Sequence, residues 1–571
     1  MTGRLGFIFT LLSFLVPLSG QADSNYHPPL DIPMFLSGNF GEIRPDHFHS
    51  GIDIKTQGHT GFPVSSIADG YVSRIKVQAN GYGKSLYITH PDGHTSQYGH
   101  LDRYTEAIAK YVKEVQYKRR SHQVDIYPPA DKFKVSSGQL IAYSGNSGSS
   151  MGPHLHFEIR STAKQHPLNV LKYDFEIKDS QAPRFMGLYI TPLDVASGFN
   201  GNNSMARMEL VKDQGIYTVA WGTRMEIAGN FGLGVEVFDF LDGSHNRCGI
   251  YSLELHAGGK QIYSHRMDEF AFSESHFVNA CTDYQEAVLN GKKVHRLYRL
   301  PGDRLRIYGS LENDGRMQLA PGEELPIRIV ALDVAGNQSV LEVLLKGSSS
   351  AQPPADDKKD PHATVDHSRE FRIARGEADL LIPAHALYED TPIAFEREEN
   401  PLAFMGMAYR VHDEATPFHG SCKLTIELPF MEKMLRSKLL LAKKDNKGEW
   451  NSAGGKINGE YLEVSLKSFG NYLLCLDTLA PEIKPHQPMK ENDYRGQKRM
   501  AYIIHDELSG IKSYEGFIDN NWVLFEYDPK NDLLSYAFDT TRLSKGMEHE
   551  LELYVKDERG NLSLYHSTFK W

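Results

Sequence analysis

The chain has 571 residues, 40% of them hydrophobic and 24% charged, with a formal net charge of −11. That length exceeds what one hydrophobic core serves and points to about three to five domains. The acidic balance argues against a nucleic-acid partner, which needs a basic face, and the composition is that of an ordinary globular protein.

Arg4 precedes the apolar run Leu5–Leu18, and Ser19-Gly20-Gln21-Ala22 follows it. A positive start, a short hydrophobic stretch and small residues at the exit read as a cleaved secretory signal over residues 1–22. The run is short for a retained membrane span, and no cysteine follows it to carry a lipid. No later segment is apolar enough to cross a bilayer, so the mature chain is expected to be exported and to have no stable membrane span.

From residue 23 onward, short runs rich in Val, Ile, Tyr and Thr recur between Gly, Asn and Asp, as in YVSRIKV, KSLYITH, YSLELHA and HELELYVKD. This pattern predicts an all-β chain. Histidines cluster in the first module, residues 23–175. HFHSGIDI sets His49 four residues before Asp53, YGHLD carries His100, and GNSGSSMGPHLHFEIR carries His154 and His156. In an extended strand His154 and His156 share one face, and Leu155, Phe157 and Ile159 share the other. Zinc sites that do chemistry take three protein ligands and leave a fourth position for water; His49, Asp53 and one histidine of the HLH strand fit that requirement. His47 also precedes the motif and is the rival for His49; His59, His90, His94 and His122 are read as surface or structural.

Together GNFGEIRPDHFHSGIDI, YGHLD and GNSGSSMGPHLHFEIR resemble the motifs of the lysostaphin/LytM-type zinc peptidases that cut peptidoglycan peptides, in that family's order. The likeness covers about Leu36 to Arg160. It implies a β-sandwich or roll whose groove binds one Zn²⁺ through His49, Asp53 and His156, with His100 and His154 as the catalytic pair. Gly148-Ser149-Ser150-Met151-Gly152 also fits G-x-S-x-G, but Pro153 and an alternating strand follow where the serine nucleophile elbow needs a helix, so that reading is rejected. The chain departs from the family between Leu101 and Ser136, where some twenty extra residues include YVKEVQYKRRSHQVDIYPP. This insertion is read as a groove wall, a lid or a tolerated surface segment.

Downstream, Asp179-x-x-Ala182-Pro183 reappears as Asp477-x-x-Ala480-Pro481, and Asp333-x-x-Gly336-Asn337 as Asp557-x-x-Gly560-Asn561. Between them Cys248-Gly249-Ile250 parallels Ser509-Gly510-Ile511. The repeat defines two β-sandwich (Ig-like) modules, residues 176–346 with insertions and residues 477–571. A Ser-, Pro- and charge-rich linker at 347–367 and a further β module at 368–476 separate them. Of four cysteines, Cys248 and Cys281 fall in one region and Cys422 and Cys475 in another; two within-domain disulfides are one of three pairings, and four buried thiols are the other reading.

The resulting expectation is an exported zinc endopeptidase that hydrolyses cross-link peptides of peptidoglycan. Its place would be the periplasm or surface of a Gram-negative bacterium, with the D-alanine link preferred. The C-terminal modules would serve as spacers or as platforms for an envelope protein. The alternative is a non-catalytic wall binder, or an activator of another hydrolase.

Overall fold

The computed structural model describes residues 26–349, 363–487 and 489–571. The leader read at 1–22 and most of the linker read at 347–367 lie outside the described residues. The fold is mostly β, as the alternation predicts.

In the first module an antiparallel sheet runs, edge to edge, through Leu36–Gly38, Ile52–Lys55, His154–Ser161, His94–Leu101, Lys84–Thr89, Gly70–Val77 and Val124–Ile126. A small second sheet joins Pro63–Ser65, Leu140–Tyr143 and Arg103–Tyr104. The HLH strand lies centrally, paired on one side with Ile52–Lys55 and on the other with His94–Leu101. Leu155, Phe157 and Ile159 are fully buried on its core face against Ile52, Ile54 and Tyr98. At about 1.5–3 kcal/mol for each large apolar side chain removed from water, this face fixes the strand's register, and a slip of one residue would turn the histidines into the core.

The insertion is a departure from the expected all-β pattern. Glu106–Arg119 forms an α-helix that buries Ile108, Val112 and Gln116, spaced four apart along one face. Glu106 in its first turn and Lys118 and Arg119 in its last complement the helix dipole, and Arg120 in the left-handed region closes it.

Arg184–Pro192 through Gln338–Gly347 form a 13-stranded sheet system around a core including Leu188, Leu233 and Ile329. Residues 363–476 add two five-stranded sheets and a two-stranded one, and residues 482–570 add two four-stranded sheets. All four cysteines are free; Cys248, Cys281 and Cys422 are buried and Cys475 is half-buried. The four stand as thiols, and Cys475 departs from the buried-thiol reading in being half-buried.

These four regions close into a ring. Asn39 exchanges two side-chain hydrogen bonds of 2.7 and 2.8 Å with the Gly249 backbone, and Phe40 and Phe48 pack with Met267 and Phe270. Gly302 donates to the Tyr388 carbonyl at 2.6 Å, and Arg559 donates to the Leu439 carbonyl at 2.8 Å. The last region returns to the first through Lys84–Glu526 at 3.0 Å, Lys113–Asp539 at 2.5 Å and the ring of Tyr117 against Trp522. The insertion helix thus docks onto the C-terminal module.

Candidate metal centre

Strand pairing assembles the site. Asp53 and His156 are direct cross-strand partners, and Gly99, next to His100, opposes His156 on its other side. His49 enters from the segment just before Ile52–Lys55, and Asn39, itself clamped by Gly249, accepts at its carbonyl from His49 Nδ1 at 2.8 Å. The second module therefore helps set the imidazole of His49.

Three candidate ligand atoms converge. His49 Nε2 lies 3.1 Å from Asp53 Oδ1 and 3.1 Å from His156 Nδ1, and His156 Nδ1 lies 2.9 Å from Asp53 Oδ1. A tetrahedral ion with ligands at about 2.0–2.1 Å places neighbouring ligand atoms roughly 3.3 Å apart, so the three donors fit one small cation. The far nitrogens are also engaged: His49 Nδ1–H donates to the Asn39 carbonyl, and His156 Nε2 faces Glu158 Oε1 at 2.8 Å. Such outer partners fix which nitrogen presents its lone pair to a metal. The chemistry of the donor set, two imidazoles and a carboxylate, suits a borderline cation.

Charge is distributed around this point. Burial alone would raise the Asp53 carboxyl, but the neighbouring His49 and hydrogen bonds from His154, His156 and His49 carry it well below its usual range. Arg44 donates to its second oxygen at 3.0 Å. Burial likewise opposes charging of His156, yet hydrogen bonds to Asp53 and Glu158 push it up to about 9. Glu158 is fully buried, held by Arg160 at 2.6 Å, Ser50 at 2.8 Å and Tyr82 at 2.7 Å. Burial would raise its carboxyl, but Arg160 and His156 carry it far below the carboxylate range.

His100 and His154 stand together beside these atoms, ring centroids 4.8 Å apart. His100 adopts a positive φ of 56° and donates from Nδ1 to the Ser147 carbonyl at 2.8 Å. His154 donates from Nδ1 to the Gly152 carbonyl at 2.8 Å, and its Nε2 lies 3.4 Å from Asp53 Oδ1. Because a carbonyl only accepts, each neutral imidazole carries its proton on Nδ1 and offers Nε2 as an acceptor. Burial, then the neighbouring His156 and His154, push His100 down to about 3.

The five residues singled out in the sequence thus share one neighbourhood. His47 is exposed, paired with Asp46, and stands apart from the cluster of His49, Asp53 and His156. His59 is exposed, and His90 is tied to the Asp69 carbonyl and Ser96. Ser150 Oγ bonds the Gly152 carbonyl within a turn that leads into a strand, so the loop has no elbow geometry. Sequence reasoning missed Arg44, Tyr82, Glu158 and Arg160. Glu158 carried a signal: it lies two residues past His156, on the same face of the strand.

A family model described as peptidase family M23 matches residues 47–118 and 122–170. The chain carries an M23 peptidase domain. A second model, Zu5-like domain, matches residues 362–477. An uncharacterized metalloprotease of Haemophilus influenzae is 31% identical over 131 residues, 23% of this chain and 22% of that protein. The DD-carboxypeptidase/endopeptidase Mpg of Neisseria gonorrhoeae is 30% identical over 112 residues, 20% of each chain. The peptidoglycan DD-endopeptidase ShyB of Vibrio cholerae is 33% identical over 161 residues, 28% of this chain and 29% of that protein. The chain spans under a third of the length of these relatives. Among the described residues no helix is long and apolar enough to cross a membrane.

Proposed function

We propose that this chain is an exported zinc endopeptidase that hydrolyses cross-link peptide bonds of bacterial peptidoglycan. The observation that carries the reading is the convergence of His49 Nε2, Asp53 Oδ1 and His156 Nδ1 within about one ion's coordination sphere, beside two imidazoles with acceptor nitrogens. The M23 domain and relatives named as peptidoglycan endopeptidases support the substrate class. A wall substrate in turn supports an extracytoplasmic location, in keeping with the leader-like start of the sequence.

His49, Asp53 and His156 would hold the metal. Zinc, when bound there, supplies a Lewis acid that brings water's pKa from about 15.7 towards roughly 7. His100 takes the proton of the attacking water at Nε2 and returns it to the leaving amine, so that a C–O bond forms as the C–N bond breaks. Its Nδ1–H stays on the Ser147 carbonyl throughout, which holds the ring in place. His154, its Nδ1–H on the Gly152 carbonyl, turns its Nε2 lone pair to the site and orients the attacking water. Arg44 engages the outer oxygen of Asp53 and leaves Oδ1 directed at the two imidazoles.

Mass analysis of purified cross-linked muropeptides tests the reading. Conversion of dimers to monomers by the wild-type chain, abolished by chelation and by His156→Ala, is the expected result. Cleavage that persists after exhaustive chelation would overturn it, and no cleavage by the zinc-loaded wild type would favour a wall-binding or activating role.

A further inference from the structure

We infer that Asp179, Asp239 and Asp333 form a calcium site, and that Asp477, Asp506 and Asp557 repeat it in the C-terminal module. In each triad the carboxylates offer one oxygen apiece within 4.8 Å of one another. That span is about twice a calcium–oxygen distance of roughly 2.4 Å, so one ion can lie between all three.

The two triads are built alike from distant parts of the chain. Asp239 and Asp333 directly follow the strands Glu226–Phe238 and Glu324–Leu332, and Asp179 lies in the segment leading into Arg184–Pro192. Asp506 directly follows Arg499–His505, Asp557 ends Glu548–Asp557, and Asp477 follows Gly470–Leu476. One asparagine braces each set. Asn337 Nδ2 donates to the Asp179 carbonyl at 3.2 Å and to Asp333 Oδ2 at 2.8 Å, while Asn561 Nδ2 donates to the Asp477 carbonyl at 3.0 Å and to Asp557 Oδ2 at 2.7 Å.

Neither triad has a cation of its own. Among the described residues no Lys, Arg or His lies within salt-bridge distance of any of the six carboxylates. Asp239 is 1% exposed, and its Oδ1 is buried without a hydrogen-bond partner while Asp179 and Asp333 are its charged neighbours. A buried carboxylate facing two others and lacking a partner is costly, and a bound cation removes that cost. The buried acids Glu158 and Asp283, by contrast, have arginine beside them.

The donor chemistry selects the ion. Where the first triad has the adjacent Cys248, the matching position in the repeat is Ser509, so the features common to both sites are oxygen ligands alone. Oxygen-only sets of carboxylates suit a hard cation, and three charged ligands in loops at strand ends suit the large, irregular sphere of calcium. Asp179 and Asp477 each sit where the chain passes from one region to the next. An ion at these points ties the incoming segment to the sandwich, and through the second site it stiffens the module whose Lys530 reaches the Ser150 carbonyl beside the M23 site.

The full-length chain, stripped over chelating resin and reloaded with one equivalent of zinc, is titrated with CaCl2 by calorimetry and melted with and without calcium. Two calcium ions per chain are expected, with dissociation constants of about 10⁻⁴ to 10⁻³ M as in extracellular modules, and a Tm that climbs with calcium concentration. Asp239→Asn and Asp506→Asn are each expected to weaken one of the two sites at least tenfold. Because each also removes a repelling charge, each variant should melt no lower than wild type without calcium, and below it with calcium. Failure of the wild type to take up calcium at millimolar concentration overturns the inference, whatever the variants do. So does a two-ion stoichiometry left intact in both variants.

Discussion

The histidines around Asp53 and the pair His265–His295 differ in their surroundings. In the M23 domain His49, His154 and His156 converge on Asp53, with Glu158 behind His156. In the second module His265 and His295 stack at 5.8 Å with an interplanar angle of 23°, and among the described residues no carboxylate is paired with either. Burial drives that second pair down, to about 4 for His265 and about 3 for His295, so both are neutral parts of a core. In the first module the same burial is outweighed at His156 by two acids, while it carries His100 down to about 3. Burial alone holds a histidine neutral; a carboxylate at hydrogen-bond distance favours its charged form and orients the ring.

The largest effect should come from removing a ligand from the first group. His156→Ala leaves two of three donors, and loss of both bound zinc and muropeptide cleavage is expected; metal analysis on the purified variant checks the first and mass spectrometry the second. His100→Ala leaves the donor set intact, so zinc is retained while kcat falls by about 10²–10⁴, the usual worth of a positioned general base. Retained cleavage in His100→Ala would move the proton-transfer role to His154.

Next in size is the carboxylate behind the ligand. Glu158→Gln keeps a hydrogen-bond acceptor near His156 Nε2 and removes the charge, and a fall of about 10–100-fold in zinc affinity is expected by competition with a chromophoric chelator. The change also leaves Arg160 buried without its partner, an effect on the order of 3–5 kcal/mol, so the melting temperature falls as well. Glu158→Asp shortens the side chain but restores the charge; recovery of stability without recovery of zinc affinity separates support of the fold from positioning of the ligand.

The second histidine group sharpens the comparison through pH. Both folded values lie below the unfolded value of about 6.5, so the unfolded chain binds more protons at acid pH. The associated stability is complete above about pH 6.5 and is lost as pH falls towards 4 and 3. For His265 alone the loss is on the order of 3 kcal/mol. His295→Phe removes one proton uptake from unfolding, and a shallower dependence of urea-unfolding stability on pH between 6.5 and 4 is the expected result. An unchanged slope would show that these imidazoles do not sit buried and neutral.

Legibility follows the same division. The HLH strand was readable because alternation alone places Leu155, Phe157 and Ile159 in the core and both histidines on the opposite face. The repeat was readable from its Asp-Ala-Pro and Asp-Gly-Asn turns. Asp239 and Asp506, which complete the acidic triads, lie in no such motif, and only folding brings them beside their partners. Glu158 and Arg160 look in sequence like the solvent side of a strand, yet Tyr82 and Ser50 meet Glu158 and the Tyr87 and Phe272 rings meet Arg160, and both are buried. The helix Glu106–Arg119 was hidden differently. Ile108 and Val112 lie four apart in it, but its mixed charge and the aromatic and proline residues around them mask the helical period.

The smallest expected effect tests where that helix docks. Tyr117 sits edge-on to Trp522 at 5.3 Å, the Arg542 guanidinium lies 3.5 Å over its ring, and Lys113 pairs with Asp539. An aromatic pair of this kind adds about 0.5–1.5 kcal/mol beyond the area it buries, and a half-exposed ion pair adds less than about 1 kcal/mol. Tyr117→Ala should therefore lower the melting temperature of the C-terminal module by a few degrees, and Lys113→Ala by less. A double-mutant cycle of Tyr117→Ala with Trp522→Ala isolates the contact, and a coupling of about 0.5–1.5 kcal/mol is expected. A coupling of zero would remove the aromatic pair from this joint and leave it to the ion pairs Lys84–Glu526 and Lys113–Asp539. With the joint intact, the docked module places Lys530 against the carbonyls of Asn146 and Ser150, in the loop whose Ser147 and Gly152 carbonyls orient His100 and His154.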